Sequence, residues 1–173
     1  MKHALSKSDI QELFLALNIE LKKEQKVGEL YLVGGAVMCL AFGARESTQD
    51  VDALFEPSTV VREAAMRVGK RQGIDVNWLN DGVKGFLSKS AEFAPLIEYG
   101  NLKVSAATPE YLLAMKCLAM RLGEGTKDAE DIRFLVRYLN LEEASTVFEV
   151  IEKFYPTTRI PAKTQYFIEA IFE

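Results

Sequence analysis

The sequence is poor in the residues from which many enzymes build metal sites and nucleophiles: its 173 residues include two cysteines and one histidine. Cys39 and Cys117 lie within apolar helical patterns without metal-like partner spacing, so we expect both to be reduced core residues. His3 lies at an amino terminus that tends to fray. These absences argue against a disulfide framework and against histidine chemistry, and they favour a cytoplasmic location.

Long hydrophobic runs and a large net charge are also absent. No run approaches the ~20 apolar residues that span a membrane, and the amino end lacks the apolar region of a signal peptide, so no membrane association is expected. The formal net charge of −4 argues against a broadly basic nucleic-acid surface. Four cations, Arg62, Arg67, Lys70 and Arg71, fall on or near one predicted helix, where a solvated face is favoured over a binding patch.

The composition is that of an ordinary globular protein, with 49% apolar and 27% charged residues. Periodicity and turn residues predict an α/β (α+β) fold with a mixed sheet flanked by helices: residues 1–107 form a core with an amino-terminal helix, and residues 108–173 form a helical region packed on it. The predicted segments are a helix after a capping box at 8–11, strands at 30–33, 51–55 and 74–79, helices at 36–42, 57–72 and 83–90, two strands within 95–105, helices capped by Thr108 and Thr126, and two more helices after residue 141.

The most informative segment begins with the apolar run 30–33, which stops at Gly34 and Gly35. The apolar residues that follow predict a buried helix whose first amides lie at the glycine pair. Free amides at a helix start attract phosphate, and residues without side chains let phosphate approach the backbone closely. Gly34 and Gly35 are therefore candidate phosphate-binding residues.

Asp50 and Asp52 follow at the start of the next predicted strand, where residues i and i+2 project from the same face. Their carboxylates repel each other beside apolar neighbours, so a cation or hydrogen-bond donors must compensate. Magnesium (or manganese) is the natural candidate, because Mg²⁺ binds to one or two carboxylates together with substrate phosphates and waters. The segment predicts a site for a metal ion and a nucleoside triphosphate.

One motif order combines these residues: Gly34-Gly35, a short helix, then Arg45-x-Ser-Thr48-x-Asp50-Val-Asp52. It resembles the polymerase-β-like nucleotidyltransferase superfamily, specifically its small bacterial branch related to abortive-infection and toxin–antitoxin nucleotidyltransferases. The resemblance implies that Arg45 and Thr48 contribute to nucleotide binding. Similar blocks follow over about residues 30–137, namely Trp78-Leu-Asn-Asp81, Pro109 to Lys116, Arg121, and Lys127-Asp128-x-x-Asp131.

The resemblance also raises the question of a third carboxylate, which enzymes of this superfamily usually place on the strand after the next helix. Here that strand is predicted at residues 74–79, where Asp75 and Asn77 share a face. Asp75 would be the third catalytic metal ligand, or Asn77 would be a neutral stand-in if the register differs.

Lys116 is the only charge between Tyr111 and Met120, so it needs an anion or must reach solvent. The resemblance implies that Lys116 contacts the nucleotide phosphates and that Asp128 faces the active cleft, orienting Lys116 or the acceptor. The competing role for Asp128 and Asp131 is to stabilise a helix amino terminus.

The predicted function is Mg²⁺-dependent transfer of a nucleoside monophosphate from a nucleoside triphosphate to an acceptor hydroxyl on tRNA or protein. A cognate antitoxin or toxin is a candidate partner. Two alternatives stay open: a catalytically inactive, antitoxin-like binding partner with the same fold, and an unrelated α/β domain whose glycines and aspartates are structural.

Overall fold

The structure, a computed structural model, describes residues 3–123 and 126–173. The chain splits into two compact units, Met1–Gly85 with Phe93–Ala107, and Phe86–Glu92 with Thr108–Glu173. Residues 86–92 therefore belong to the second unit, although they precede the domain boundary predicted at 107. The first unit contains a mixed sheet with helices and the second is helical, which confirms the α+β class.

The first unit contains every strand that the described residues form. Its elements in chain order are β1 (Leu5–Ser6), α1 (Lys7–Lys23), β2 (Gly28–Val33), α2 (Gly34–Leu40), β3 (Ser47–Thr48), β4 (Val51–Glu56), α3 (Ser58–Gln72), β5 (Leu79–Asn80), β6 (Phe93–Glu98) and β7 (Leu102–Ala107), with a 3₁₀ turn over Gly82–Phe86.

Helix α1 begins two residues earlier than the predicted capping box. Ser6 is the cap: its Oγ accepts a hydrogen bond from the backbone N–H of Asp9, and Asp9 accepts one from the backbone N–H of Ser6. This bond to the Ser6 backbone lowers the pKa of Asp9. The predicted box at residues 8–11 is wrong, because Ser6 is held at the helix start by the pairing of Leu5 with Thr48.

Two sheets form within the described residues. The larger has the strand order β5-β4-β2-β7-β6, with β2 antiparallel to β4 and parallel to β7. Strand β4 is parallel to β5, and β6 and β7 form an antiparallel hairpin. The smaller sheet pairs β1 with β3. Along β4, Val51, Ala53 and Phe55 are buried while Asp52 and Leu54 are half-buried, so one face of the strand packs on the core and carries no charge.

The predicted strand at residues 74–79 is wrong except at its end, because only Leu79 belongs to β5. Residues 74–78 form turns after α3, which ends at Gly73 in a left-handed conformation. Trp78 is buried there, and its indole N–H donates to the carbonyl oxygen of Ala65 at 2.9 Å. Trp78 thus anchors these turns against α3.

The second unit consists of helices and one 3₁₀ turn in its described residues. They are α4 (Pro109–Leu118), α5 (Asp128–Tyr138), α6 (Ala144–Glu152), the turn Thr157–Arg159 and α7 (Ala162–Ile171). Thr108 caps α4 as predicted, since its hydroxyl accepts from the backbone N–H of Tyr111. Thr126 does not cap α5; its hydroxyl bonds to the carbonyl oxygens of Arg121 and Gly123.

Among the helices of residues 3–123 and 126–173, none has the length and apolar character needed to cross a membrane. Cys39 on α2 and Cys117 on α4 are both buried and neither is in a disulfide, which confirms their assignment to the core.

Candidate functional site

Three neighbouring strands bring candidate residues of the first unit into one row. Val33 ends β2 and pairs with Asp52 on β4, which in turn pairs with Asn80 on β5. Gly34 follows Val33 directly, so the end of β2 lies beside the Asp52 carboxylate. A Cβ added at Gly34 would lie 3.2 Å from Oδ2 of Asp52, and Gly34 has a φ of +67°. Glycine is favoured at this position for two reasons: its backbone angle is left-handed, and a side chain would come too close to the Asp52 carboxylate.

Gly35 lies close to two polar side chains that precede β4. A Cβ here would lie 2.6 Å from Oγ1 of Thr48 and 2.7 Å from Nη1 of Arg45. Thr48 is buried, and its hydroxyl donates to the carbonyl oxygen of Asp50 at 3.2 Å, which holds the chain that enters β4. The glycine pair, Arg45, Thr48 and Asp52 are therefore close together in the first unit, and their nucleotide-binding roles stay predictions.

Asp50 contacts a residue that the sequence reasoning missed. Its Oδ2 accepts a hydrogen bond from Nδ2 of Asn80 at 3.3 Å, while Oδ1 of Asn80 accepts from the backbone N–H of Gly82 at 3.2 Å. The sequence Asn80-Asp81-Gly82 predicts a turn. In the structure, however, Asn80 is the last residue of β5 and pairs with Asp52. The one feature of the sequence that could have indicated Asn80 as a site residue is its polar side chain directly after the apolar residues Trp78 and Leu79.

Asp75 lies in the turns after α3, outside any strand, so the structural basis for making it the third ligand is wrong. Its carboxylate accepts from the backbone N–H of Asn77 at 2.9 Å, and both side chains are exposed. Asp75 lines a cavity of about 370 Å³ together with Gln49 and Trp78. Asn80, rather than Asp75 or Asn77, occupies the strand position beside Asp52.

Three carboxylates, those of Asp50, Asp52 and Asp75, were predicted to hold a divalent cation. The described part of the chain has no group of three or more histidine, cysteine, aspartate or glutamate side chains that could hold a metal ion, so Asp50, Asp52 and Asp75 do not form one. Mg²⁺ is usually bound through one or two carboxylates, and substrate phosphates and waters complete its shell. Asp50 and Asp52 fit this smaller requirement and could hold Mg²⁺ or Mn²⁺ with waters, or with waters and phosphate when a nucleotide is bound.

Lys116 has carboxylate partners in its own, second unit. Its Nζ lies 2.6 Å from Oδ2 of Asp131 and 3.6 Å from Oδ1 of Asp128, and all three side chains are at most 10% exposed. Asp128 also accepts from the backbone N–H and the Nε of Arg121, at 2.9 and 3.1 Å. Two cations and two carboxylates thus form a cluster without net charge. The contact of Lys116 with Asp128 joins two predicted site residues, whereas the phosphate role of Lys116 stays a prediction.

The pKa of Asp128 reflects this environment. Burial opposes ionisation of the carboxyl, but hydrogen bonds from Arg121 and the charge of Lys116 outweigh it and hold the pKa below its ordinary value. Asp128 is therefore ionised at neutral pH, with its oxygens directed to cations of its own unit.

The arginines of α3 are paired with carboxylates of the first unit. Arg67 and Arg71 bind the buried Glu20 of α1 at 3.0 and 2.7 Å, and the hydrogen bond from Arg71 is the main cause that lowers the pKa of Glu20. Arg62 binds Asp81 at 2.7 Å, and Lys84 binds the same carboxylate at 2.6 Å. Arg62, Arg67 and Arg71 thus have carboxylate partners within the first unit, and the solvated role of this helix face stays a prediction.

Comparison of the chain with protein-family models, with curated proteins and with solved structures found no match. The fold and the residues of the site are therefore the basis for any functional assignment.

Proposed function

We propose that the first unit is a nucleotidyltransferase domain, which transfers the nucleoside monophosphate part of a nucleoside triphosphate to an acceptor hydroxyl. The observation that supports this most is the packing of Gly34 against the Asp52 carboxylate at the end of β2. A phosphate that approaches the bare backbone of the glycine pair comes within reach of a cation bound to that carboxylate. Two otherwise unrelated features, a glycine pair and an Asp-x-Asp, thus serve one ligand.

Each residue of the cluster has a physical task in this reaction. Arg45, whose guanidinium lies against Gly35, supplies positive charge to the phosphates, and Thr48 holds the chain that presents Asp50. Asp50 and Asp52 would hold Mg²⁺, or Mn²⁺ in its place. When bound, the ion neutralises phosphate charge and stabilises the leaving pyrophosphate.

In the proposed reaction, the acceptor oxygen forms a bond to the α-phosphorus as the bond from that phosphorus to the pyrophosphate oxygen breaks. The hydroxyl proton passes to water and pyrophosphate leaves. A hydroxyl of tRNA or of a protein side chain is the proposed acceptor, in line with the resemblance to toxin nucleotidyltransferases, and a cognate antitoxin or toxin is the proposed partner. The net charge of −4 favours an acceptor with few phosphate contacts.

The test is incorporation of label from each α-labelled nucleoside triphosphate into cell extract with Mg²⁺. We expect the native chain to label RNA or protein, and Asp52→Asn, which keeps the size of the side chain, to lose at least about 100-fold of this activity, since one electrostatic group of an active site contributes that much. Asp75→Asn is the matched control, because the same substitution falls on an exposed turn. We expect it to keep native activity.

Equal labelling by the native chain and Asp52→Asn would overturn the proposal. Loss of activity in Asp75→Asn with correct folding would instead restore Asp75 as a site residue.

Asn80 supports a second candidate, a non-catalytic relative that binds a partner protein. The strand position beside Asp52 carries a neutral amide, so the unit lacks a third acid there. Isothermal titration with nucleotides and Mg²⁺, and co-purification with products of neighbouring genes, distinguish the two. A stable protein complex without metal-dependent nucleotide binding would favour the binding partner.

A further inference from the structure

We propose that Asn80 is a positioning residue that orients the Asp50 carboxylate and restricts the nucleotide-free site to one divalent cation. This inference rests on the proposed function, since it concerns the metal stoichiometry of the same site. It starts from the two hydrogen bonds of the Asn80 amide, which connect the carboxylate of Asp50 with the backbone of Gly82.

These two bonds determine which way the amide faces. The backbone N–H of Gly82 can only donate, so the atom of Asn80 facing it must be the oxygen, and the nitrogen faces Asp50. The reversed amide would set N–H against N–H and oxygen against carboxylate oxygen. Asn80 is therefore a fixed donor to Asp50 and is held by a backbone group that no side-chain substitution removes.

The charge of the group follows from the same arrangement. Asp50 and Asp52 carry two negative charges, and the position beside Asp52 in register adds none because it is Asn80. Arg45, close to Gly35, adds one positive charge nearby, which further disfavours a second cation. One divalent cation neutralises two carboxylates. A second cation about 3.5–4 Å away, as in two-metal sites, needs further anionic oxygen, and the described residues hold no third carboxylate in this group.

The test counts Mn²⁺ ions on the full chain by electron paramagnetic resonance, with Mn²⁺ alone as the probe. We expect one Mn²⁺ per native chain above the background set by the double variant Asp50→Asn, Asp52→Asn. Asn80→Asp keeps the side-chain size and adds a carboxylate, and we expect it to bind two ions with the spectrum of an exchange-coupled pair. Asn77→Asp is the matched control, because it adds the same charge on an exposed turn, and we expect one ion.

A third variant, Asn80→Leu, removes the donor to Asp50. We expect its Mn²⁺ affinity to fall about tenfold, as when an outer-shell partner of a metal ligand is lost. Circular dichroism checks that this variant is folded. If it is not, the number of Mn²⁺ ions bound to Asn80→Asp still tests the role of Asn80.

The failures are distinguishable. Two ions on the native chain, or one ion on folded Asn80→Asp, would overturn the role of Asn80 alone. No Mn²⁺ above background on the native chain would overturn this inference together with the metal site of the proposed function.

Discussion

The close packing around Gly35 can be tested by the substitution Gly35→Ala, which adds one methyl group. In Gly35→Ala the new carbon meets Oγ1 of Thr48 at 2.6 Å, and this hydroxyl is buried and bonded to Asp50. Thr48 cannot move without losing this bond. We expect a loss of about 1–3 kcal/mol in the free energy of unfolding, measured with urea, because overpacking forces such shifts.

Gly100→Ala is the control for this prediction, since no atom beyond Gly100 and its two chain neighbours lies within 4 Å of a Cβ built there. We expect its stability to change by no more than about 0.5 kcal/mol. An equally stable Gly35→Ala would show that Thr48 is free to adopt another rotamer.

Asp81 makes the stability of the first unit depend on pH. Hydrogen bonds from Arg62 and then Lys84 lower the pKa of Asp81 from 3.8 to about 2 in the folded state. The ionised carboxylate therefore stabilises the fold above the unfolded-state pKa, and this stabilisation is lost as the pH falls toward 2. We expect Arg62→Gln to lower the free energy of unfolding by about 0.2–1 kcal/mol at pH 7, the range for an exposed ion pair, and by less at pH 3.

Urea titrations of both proteins at the two pH values measure this difference. Lys70→Gln, on the exposed side of the same helix, is the control, and its effect should not vary with pH in this way. A gap between native chain and Arg62→Gln that widens on acidification would contradict the assignment.

Between elements, Lys116 joins α4 to α5 through Asp131 and Asp128. Lys116→Met keeps the apolar stem and removes the charge, leaving two buried carboxylates with one cation fewer. We expect a loss of about 3 kcal/mol or more in the free energy of unfolding, as for other broken buried pairs. Lys163→Met on the exposed face of α7 is the control and should change stability by no more than about 0.5 kcal/mol.

Combining Lys116→Met with Asp131→Asn removes both partners of the 2.6 Å pair. The double variant should be less destabilised than the sum of the two single variants, which a thermodynamic cycle measures. If the losses of the two single variants simply added up in the double variant, the Lys116–Asp131 pair would contribute no interaction energy to stability.

At the scale of the elements, helix and strand ends that depend on neighbouring residues could be predicted from the sequence, whereas those that depend on distant contacts could not. The Gly34-Gly35 stop after β2, the Gly73 end of α3 and the Thr108 cap of α4 each depend on nearby residues, and the structure confirms them. Two errors have long-range causes. Trp78 is buried against Ala65, 13 positions away, which turns a strand-like pattern into turns. Ser6 is the cap of α1 because β1 pairs with β3.

The same limit applies to the candidate site. Spacing was enough to propose the glycine pair with Asp50 and Asp52, because both motifs lie close together in the sequence. Asn80 could not be found this way, since its position depends on the register of β5 against β4. Register is determined by tertiary packing, to which a two-residue strand contributes little pattern.

At the scale of the whole molecule, residues 86–92 are held in the second unit by contacts with residues far along the chain. The hydroxyl of Ser88 donates to the carbonyl oxygen of Phe154, and the Tyr155 hydroxyl donates to that of Phe86, across 66 and 69 positions. Such contacts assign the segment to the second unit, and no local composition signals them.

Each unit also contains one buried thiol, Cys39 in the first and Cys117 in the second. Burial raises the pKa of Cys117 to about 12, so it stays protonated and unreactive at neutral pH. We expect neither thiol to react with a disulfide reagent in buffer and both to react in concentrated urea. Cys39→Ala and Cys117→Ala assign the signal to one unit, and rapid labelling of either cysteine in buffer would contradict the burial of its helix.

The hydrogen bond from Asn80 to Asp50 has an evolutionary consequence. Asparagine and aspartate have nearly the same shape, and their codons differ at one base. A single point mutation can therefore change the charge beside Asp52 without disturbing the packing of β5. In such a lineage, the proposed role of Asn80 predicts a change in metal stoichiometry with the fold unchanged.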